Sequence, residues 1–134
     1  MSLFATLDEA REFFDHDRYA VENGAVIEKI GERTAVCSMQ LTEHHRNAAG
    51  AVMGGAIFTL ADFVFAVSTN NREHHTVSQQ VSVSYLNAPK GNRLTAQSFC
   101  VKDGRTTCVY NIMVRDDAGL DVAQVVITGY KVKK

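Results

Sequence analysis

The stretch GAVMGGAIFTLADFVFAV, residues 50–67, is apolar almost throughout, yet it carries one carboxylate, Asp62, near its middle. Residues 51–67 fall short of the roughly 20 apolar residues that a membrane span needs, and Gly54, Gly55, Thr59 and Asp62 interrupt them. The stretch therefore reads as a buried helix of a water-soluble protein. Its apolar residues lie on all sides with no polar stripe, so something has to wrap around it. The wrapping comes from segments that read as strands. After an N-terminal helix over about residues 5–16, segments 24–31 and 33–41 predict a hairpin around Gly31-Glu32. In TAVCSMQL, Ala35, Cys37, Met39 and Leu41 alternate with Thr34, Val36, Ser38 and Gln40, which is a strand period. Beyond the helix follow four more strand-like segments, 77–86, 93–102, 106–115 and 120–132. Their separators APKGN, DG and DDAG are turn chemistry; Asp103-Gly104 suits a two-residue hairpin, and the only proline, Pro89, falls outside a strand. One antiparallel sheet of six strands curled around a central helix satisfies this pattern. The fold expected is α+β, in a single domain over residues 1–134.

Composition narrows the function classes. At 134 residues and 46% apolar content the chain can bury one good core. Fourteen Lys and Arg against fifteen Asp and Glu give a net charge of −1, and no segment gathers the basic residues into a stripe. Nucleic acid and anionic membrane are therefore not expected partners. Cys37, Cys100 and Cys108 are odd in number, lack CxxC spacing and lie in strand-like runs, which fits reduced thiols in a cytoplasmic protein. MSLFATLDEAREFFDHDRY mixes acidic with apolar residues at helical spacing, unlike the basic start and unbroken apolar block of a signal peptide.

The segment HRNAAGAVMGGAIFTLADFVFAVS resembles the signature of hotdog-fold acyl-CoA thioesterases of the phenylacetate-pathway, PaaI-like type, H-x-N-x-x-G-x-x-H-G-G-x-x-x-x-L-A-D. His45, Asn47, Gly50, Gly54, Gly55, Leu60, Ala61 and Asp62 match at the family's spacing. VSVSYLNAPKGNRLTAQ and VKDGRTT resemble the family too, so the likeness covers nearly the whole chain. One position departs: Met53 stands where most members place a histidine. The resemblance implies a curved sheet around a long helix, and hydrolysis of an acyl-CoA with an aromatic or medium-chain acyl group. CoA belongs to the substrate, so no separate cofactor is implied.

Thioester hydrolysis requires a group that attacks the carbonyl or activates water, and donors aimed at the developing oxyanion. Gly54 and Gly55 open the helix, where backbone N–H groups lack partners and glycine permits close approach of substrate. The resemblance implies that the Gly54 N–H is the oxyanion donor, that the Asn47 amide orients the thioester, and that Asp62 acts as nucleophile or general base. Met53 can fill the space of the histidine. Ser78 matches a serine or threonine by which many relatives hold the attacking group; strand parity places it on one face with Gln80, Ser82 and Ser84. Phe58, Val64 and Phe65 are expected along the acyl tunnel. Lys90 and Arg105 are solvated charges by default; the resemblance implies them as contacts for the CoA phosphates, Arg105 first. Each residue also has a plain structural reading: Asp62 as a satisfied buried group, the glycines as packing devices, Asn47 as a loop cap, Ser78 as a strand serine.

Gly54 and Asp62 lie eight residues apart, about 12 Å along one helix. A single carbonyl cannot touch both. Two such helices running antiparallel across a twofold axis bring the start of one to the aspartate of the other, so a homo-oligomer with shared sites is expected, a dimer or a dimer of dimers. Other constellations are weaker. His44-His45 and His74-His75 lack a recognised metal-ligand spacing, so no metal is expected. There is no GxSxG elbow, P-loop or dinucleotide fingerprint. Two further classes compete: a non-catalytic acyl-CoA-binding hotdog module, suggested by Met53, and an enoyl-CoA hydratase. The hydratase usually pairs an Asp with a His on the same segment, and no histidine follows Asp62 before His74.

Overall fold

The structure, a computed structural model, describes residues 3–133. In chain order its elements are α1 (Leu7–Phe14), α2 (Arg18–Glu22), β1 (Ala25–Gly31), β2 (Thr34–Gln40), a 3₁₀ turn (Glu43–His45), α3 (Gly54–Thr69), β3 (His75–Tyr85), β4 (Arg93–Asp103), β5 (Thr107–Asp116) and β6 (Asp121–Val132). The six strands form one antiparallel sheet in the order β1-β2-β4-β5-β6-β3. The period-2 alternation of β5 and β6 puts Tyr110, Ile112 and Val114, then Val125 and Ile127, on the buried face. α3 lays Leu60, Phe63, Val64 and Val67 onto that face, and each such fully buried aliphatic or aromatic side chain contributes about 1.5–3 kcal/mol. The architecture is the hotdog arrangement that the sequence predicts.

α3 is not wrapped on every side. Ile57, Leu60, Ala61, Val64 and Ser68 are buried, whereas Gly55, Thr59, Asp62 and Ala66, at helical spacing, remain at least partly open. Asp62 therefore stands on the single strip that the sheet leaves uncovered. α1 closes part of this side. Thr6 caps it by accepting from the Glu9 N–H at 3.1 Å, and Phe14 packs edge-on to Phe63. Arg11 ties it to β1 through two bonds to the Ile27 carbonyl, at 2.9 and 2.7 Å.

Four local expectations are corrected. The N-terminal helix expected over 5–16 ends at Phe14, and a separate short helix, α2, follows after a corner at His16-Asp17. The first hairpin turns on Glu32-Arg33, one residue later than expected, with Arg33 in the left-handed region at φ 54°. The β4–β5 connection is not a two-residue turn on Asp103-Gly104: residues 104–106 separate the strands, and the Gly104 N–H donates to the Thr107 carbonyl at 2.9 Å. Finally, a β-bulge between Ser78 and Gln80 resets the parity of β3. Ser78 opposes Gly129 on the helix side, and the residues sharing that side are Val81, Val83 and Tyr85, opposite Ile127, Val125 and Ala123. Gln80, Ser82 and Ser84 point the other way.

Candidate active site

The segment before α3 is a tight, self-bonded loop. Its floor is His45, buried, whose Nδ1 accepts from the Thr42 N–H at 3.0 Å and whose Nε2 donates to the Asn23 carbonyl at 2.5 Å. Both ring nitrogens are thereby used, so His45 is a brace. Asn47 Oδ1 accepts from the Ala49 and Ala51 N–H groups at 3.0 and 3.1 Å. Its amide nitrogen makes no hydrogen bond among the described residues, so the residue caps the loop and still retains a donor. The Met53 N–H reaches back to the His45 carbonyl at 2.9 Å, and α3 begins at Gly54 with no side-chain cap. Met53 is 49% exposed, and nothing lies within 4 Å of where a Gly55 Cβ would stand. The N–H groups of Gly54 and Gly55 belong to the first turn of α3, where a helix leaves its N–H groups without intrahelical partners.

Gly54 has a close neighbour that sequence reasoning missed. A Cβ there would stand 2.9 Å from the Tyr85 ring, and the Tyr85 hydroxyl donates to the Gly54 carbonyl at 3.0 Å. The bulge in β3 is what turns Tyr85 toward the helix. No glycine or proline marks that bulge in the sequence.

Two turns further on, Asp62 Oδ1 accepts from the Ser78 hydroxyl at 3.3 Å. The carboxylate keeps one side open to solvent while protein encloses the other. Burial raises its pKa above the ordinary aspartate value; the Ser78 bond lowers it, and the charge of Asp17 raises it again. Asp62 lines a cleft of about 720 Å³ with Phe13, Phe14, Phe58 and Phe65. Phe65 offers only an edge, since it is 2% exposed and packs against Tyr110 at 5.5 Å.

Within one chain the proposed parts do not all meet. Gly54 and Asp62 stand at different turns of α3, about 12 Å apart along its axis. Lys90 and Arg105 lie beyond opposite ends of β4, whose 11 residues span about 35 Å. Both side chains are exposed. Among the described residues no group of three His, Cys, Asp or Glu is placed to hold a metal ion.

The sequence profile of the thioesterase superfamily matches residues 49–123, which include the loop end, all of α3 and the Ser78 strand. The chain belongs to this superfamily. It is 32% identical over 111 residues to a candidate esterase of Archaeoglobus fulgidus, covering 82% of this chain and 72% of the relative. It is 29% identical over 106 residues to the acyl-coenzyme A thioesterase PaaI of Escherichia coli, covering 78% and 76%. A hypothetical thioesterase of Streptococcus pneumoniae TIGR4, solved with coenzyme A, superposes with a TM-score of 0.81 at 26% identity, over 90% of this chain and 98% of that one. The protein is thus a PaaI-like hotdog thioesterase, an enzyme of the thioester-hydrolase class.

Proposed function

We propose that the protein cleaves an acyl-CoA with an aromatic or medium-chain acyl group at sites shared between two copies of the chain. One observation carries the shared site. β3 is an edge of the sheet, and along it Ser78 marks the Asp62 half of the chemistry while Tyr85, seven residues on, marks the Gly54 half. Antiparallel pairing of this edge with a second copy, centred between the two markers, sets Ser78 against the partner's Tyr85. Asp62 then faces the partner's Gly54, with the partner's Asn47 beside it.

The chemistry follows. Asp62 takes a proton from water, the hydroxide adds to the thioester carbon, and the carbonyl electrons move onto oxygen, where the partner's Gly54 N–H holds them. Collapse breaks the C–S bond, and the departing CoA thiolate takes the proton from Asp62. The raised proton affinity of Asp62 strengthens it as a base toward water, and direct attack through a mixed anhydride is the alternative route from the same carboxylate. The four phenylalanines beside Asp62 suit an apolar acyl group. A single hotdog domain in the cytoplasm accords with three cysteines that form no disulfide. A non-catalytic acyl-CoA-binding module is the competing reading, because Met53 replaces the usual histidine.

The deciding experiment measures free-thiol release from a panel of aromatic and medium-chain acyl-CoAs, with wild type and Asp62→Asn. Turnover by wild type and a loss of about 10² to 10⁴-fold in the variant, with binding retained, supports the reading. Binding without turnover by wild type identifies a binding module. Near-native turnover by Asp62→Asn removes the aspartate from the mechanism.

A further inference from the structure

The corner between α1 and α2 separates the 720 Å³ cleft from a second one of about 610 Å³. Four residues line both: His16 and Asp17 from the corner, Phe58 and Asp62 from α3. The two clefts therefore adjoin at a waist, and two carboxylates, Asp17 and Asp62, line both. Asp17 is the only other carboxylate lining either cleft among the described residues. Nothing local requires it. It stands at the N-cap of α2 but its side chain makes no capping bond, and it forms no ion pair among the described residues.

We propose that Asp17 is a positioning residue for Asp62, the second carboxylate of the site, acting on the reaction only through the first. The proposal rests on the reading of Asp62 as the base. Two carboxylates facing one half-closed space resist being ionised together. A charge on Asp17 makes Asp62 hold its proton more tightly, which strengthens it as a base toward water. Partial enclosure raises the pKa of Asp17 as well, although the residue stays exposed to solvent. The remaining titratable groups around the two clefts are His16 of the corner, Arg18 and Tyr19 of α2, and Arg72, His74 and His75 between α3 and the start of β3. All but Tyr19 are cationic when protonated, whereas Asp17 is the one charged group whose field adds to the shift at Asp62.

The test is the pH dependence of kcat/KM for wild type, Asp17→Asn and Asp62→Asn on an acyl-CoA that wild type cleaves. In Asp17→Asn the acid limb moves to lower pH, so its rate relative to wild type rises as pH falls through the limb. On the plateau it is slower by about two- to tenfold, as a weaker base predicts. Asp17→Glu restores the charge and returns the limb toward its wild-type position. A limb that stays in place, with a loss equal at every pH, overturns the proposal and leaves Asp17 as scaffold. Should Asp17→Asn fail to fold, Asp17→Ser removes the charge with a smaller residue that the N-cap position of a helix accepts. The Asp62 reading fails separately, if Asp62→Asn keeps hydrolysing. Carboxyl NMR then decides the coupling alone: an Asp62 titration midpoint that falls on removal of Asp17 sustains it, and an unmoved midpoint overturns it.

Discussion

Asp62 shows how one carboxylate can sit in an apolar helix. The sheet covers the faces that carry Leu60, Ala61 and Val64, and Asp62 occupies the strip left open toward the α1–α2 corner. Its enclosure is partial, and that is enough to raise its pKa. The consequence for stability has a definite sign. A carboxyl whose folded-state pKa is raised binds its proton better in the native than in the unfolded chain. Stability is fully present below the unfolded value of about 3.9 and is lost as pH rises through the folded value. Asp62→Asn removes that loss. Thermal unfolding of the variant at pH 7 is expected at a higher Tm than wild type, with the gap closing as pH falls below about 4. A variant less stable than wild type at neutral pH means that the Ser78 bond outweighs desolvation. The same comparison run on Asp17→Asn has the same sign, because burial raises that group too.

At the scale of elements, the β5–β6 hairpin is held by a carboxylate of opposite character. Asp116 Oδ2 accepts from the Lys90 and Gly91 N–H groups at 2.7 and 2.9 Å, and Oδ1 from Ala118 and Leu120 at 3.1 and 2.8 Å. The residue is 6% exposed, but four donors surround it, led by Gly91 and Leu120, and they lower its pKa to about 2. Here the stability is present above the unfolded pKa and is lost as pH falls toward about 2. Asp116→Asn turns an N–H₂ against two N–H donors. Urea unfolding at pH 7 is expected at a lower midpoint, and the wild-type fall in midpoint between about pH 4 and pH 2 is expected to flatten. This anchor is invisible in the sequence, where DDAG signals only a turn. Long periodic elements are legible: α3 by its length and apolarity, β2, β5 and β6 by alternation. The five-residue α2 is too short to show a period, and the β3 bulge carries no signal residue, so the facing of Ser78 was misread from parity. Of the candidate site, Asn47, Gly54 and Asp62 are singled out in the sequence by the family resemblance. Tyr85 and Asp17 are not, because the β3 bulge brings Tyr85 to Gly54 and the α1–α2 corner brings Asp17 to the clefts that Asp62 lines, and only the fold supplies these turns.

At the scale of the whole molecule, the start of α3 and Asp62 stand about 12 Å apart in one chain, and the question is whether a second copy completes each half-site. The structure sharpens the choice of variants. Asn47→Ala loses the oxygen that accepts from the Ala49 and Ala51 N–H groups and so loosens the loop. Asn47→Asp keeps that oxygen while it replaces the N–H₂ donor by an anionic oxygen, and Asp62→Asn keeps size and removes the base. Each homodimer then carries two broken sites. In a heterodimer one site collects both lesions, while the other takes Asp62 from the Asn47→Asp chain and Asn47 from the Asp62→Asn chain, both intact. With random pairing about half the dimers are mixed and half of their sites are whole, so co-expression returns about a quarter of wild-type turnover. A tetramer gives the same fraction if each site forms at one kind of dimer interface. A site built within a single chain gives no recovery, since every chain carries a lesion. The β3 edge supplies an independent arm: Val81→Pro, midway between Ser78 and Tyr85, cannot donate to a partner strand and crowds the pairing. Sedimentation of that variant should show dissociation, and its turnover should fall together with the dimer fraction. Turnover that persists in the monomer would place base and oxyanion donor in one chain, against the 12 Å estimated between them along α3.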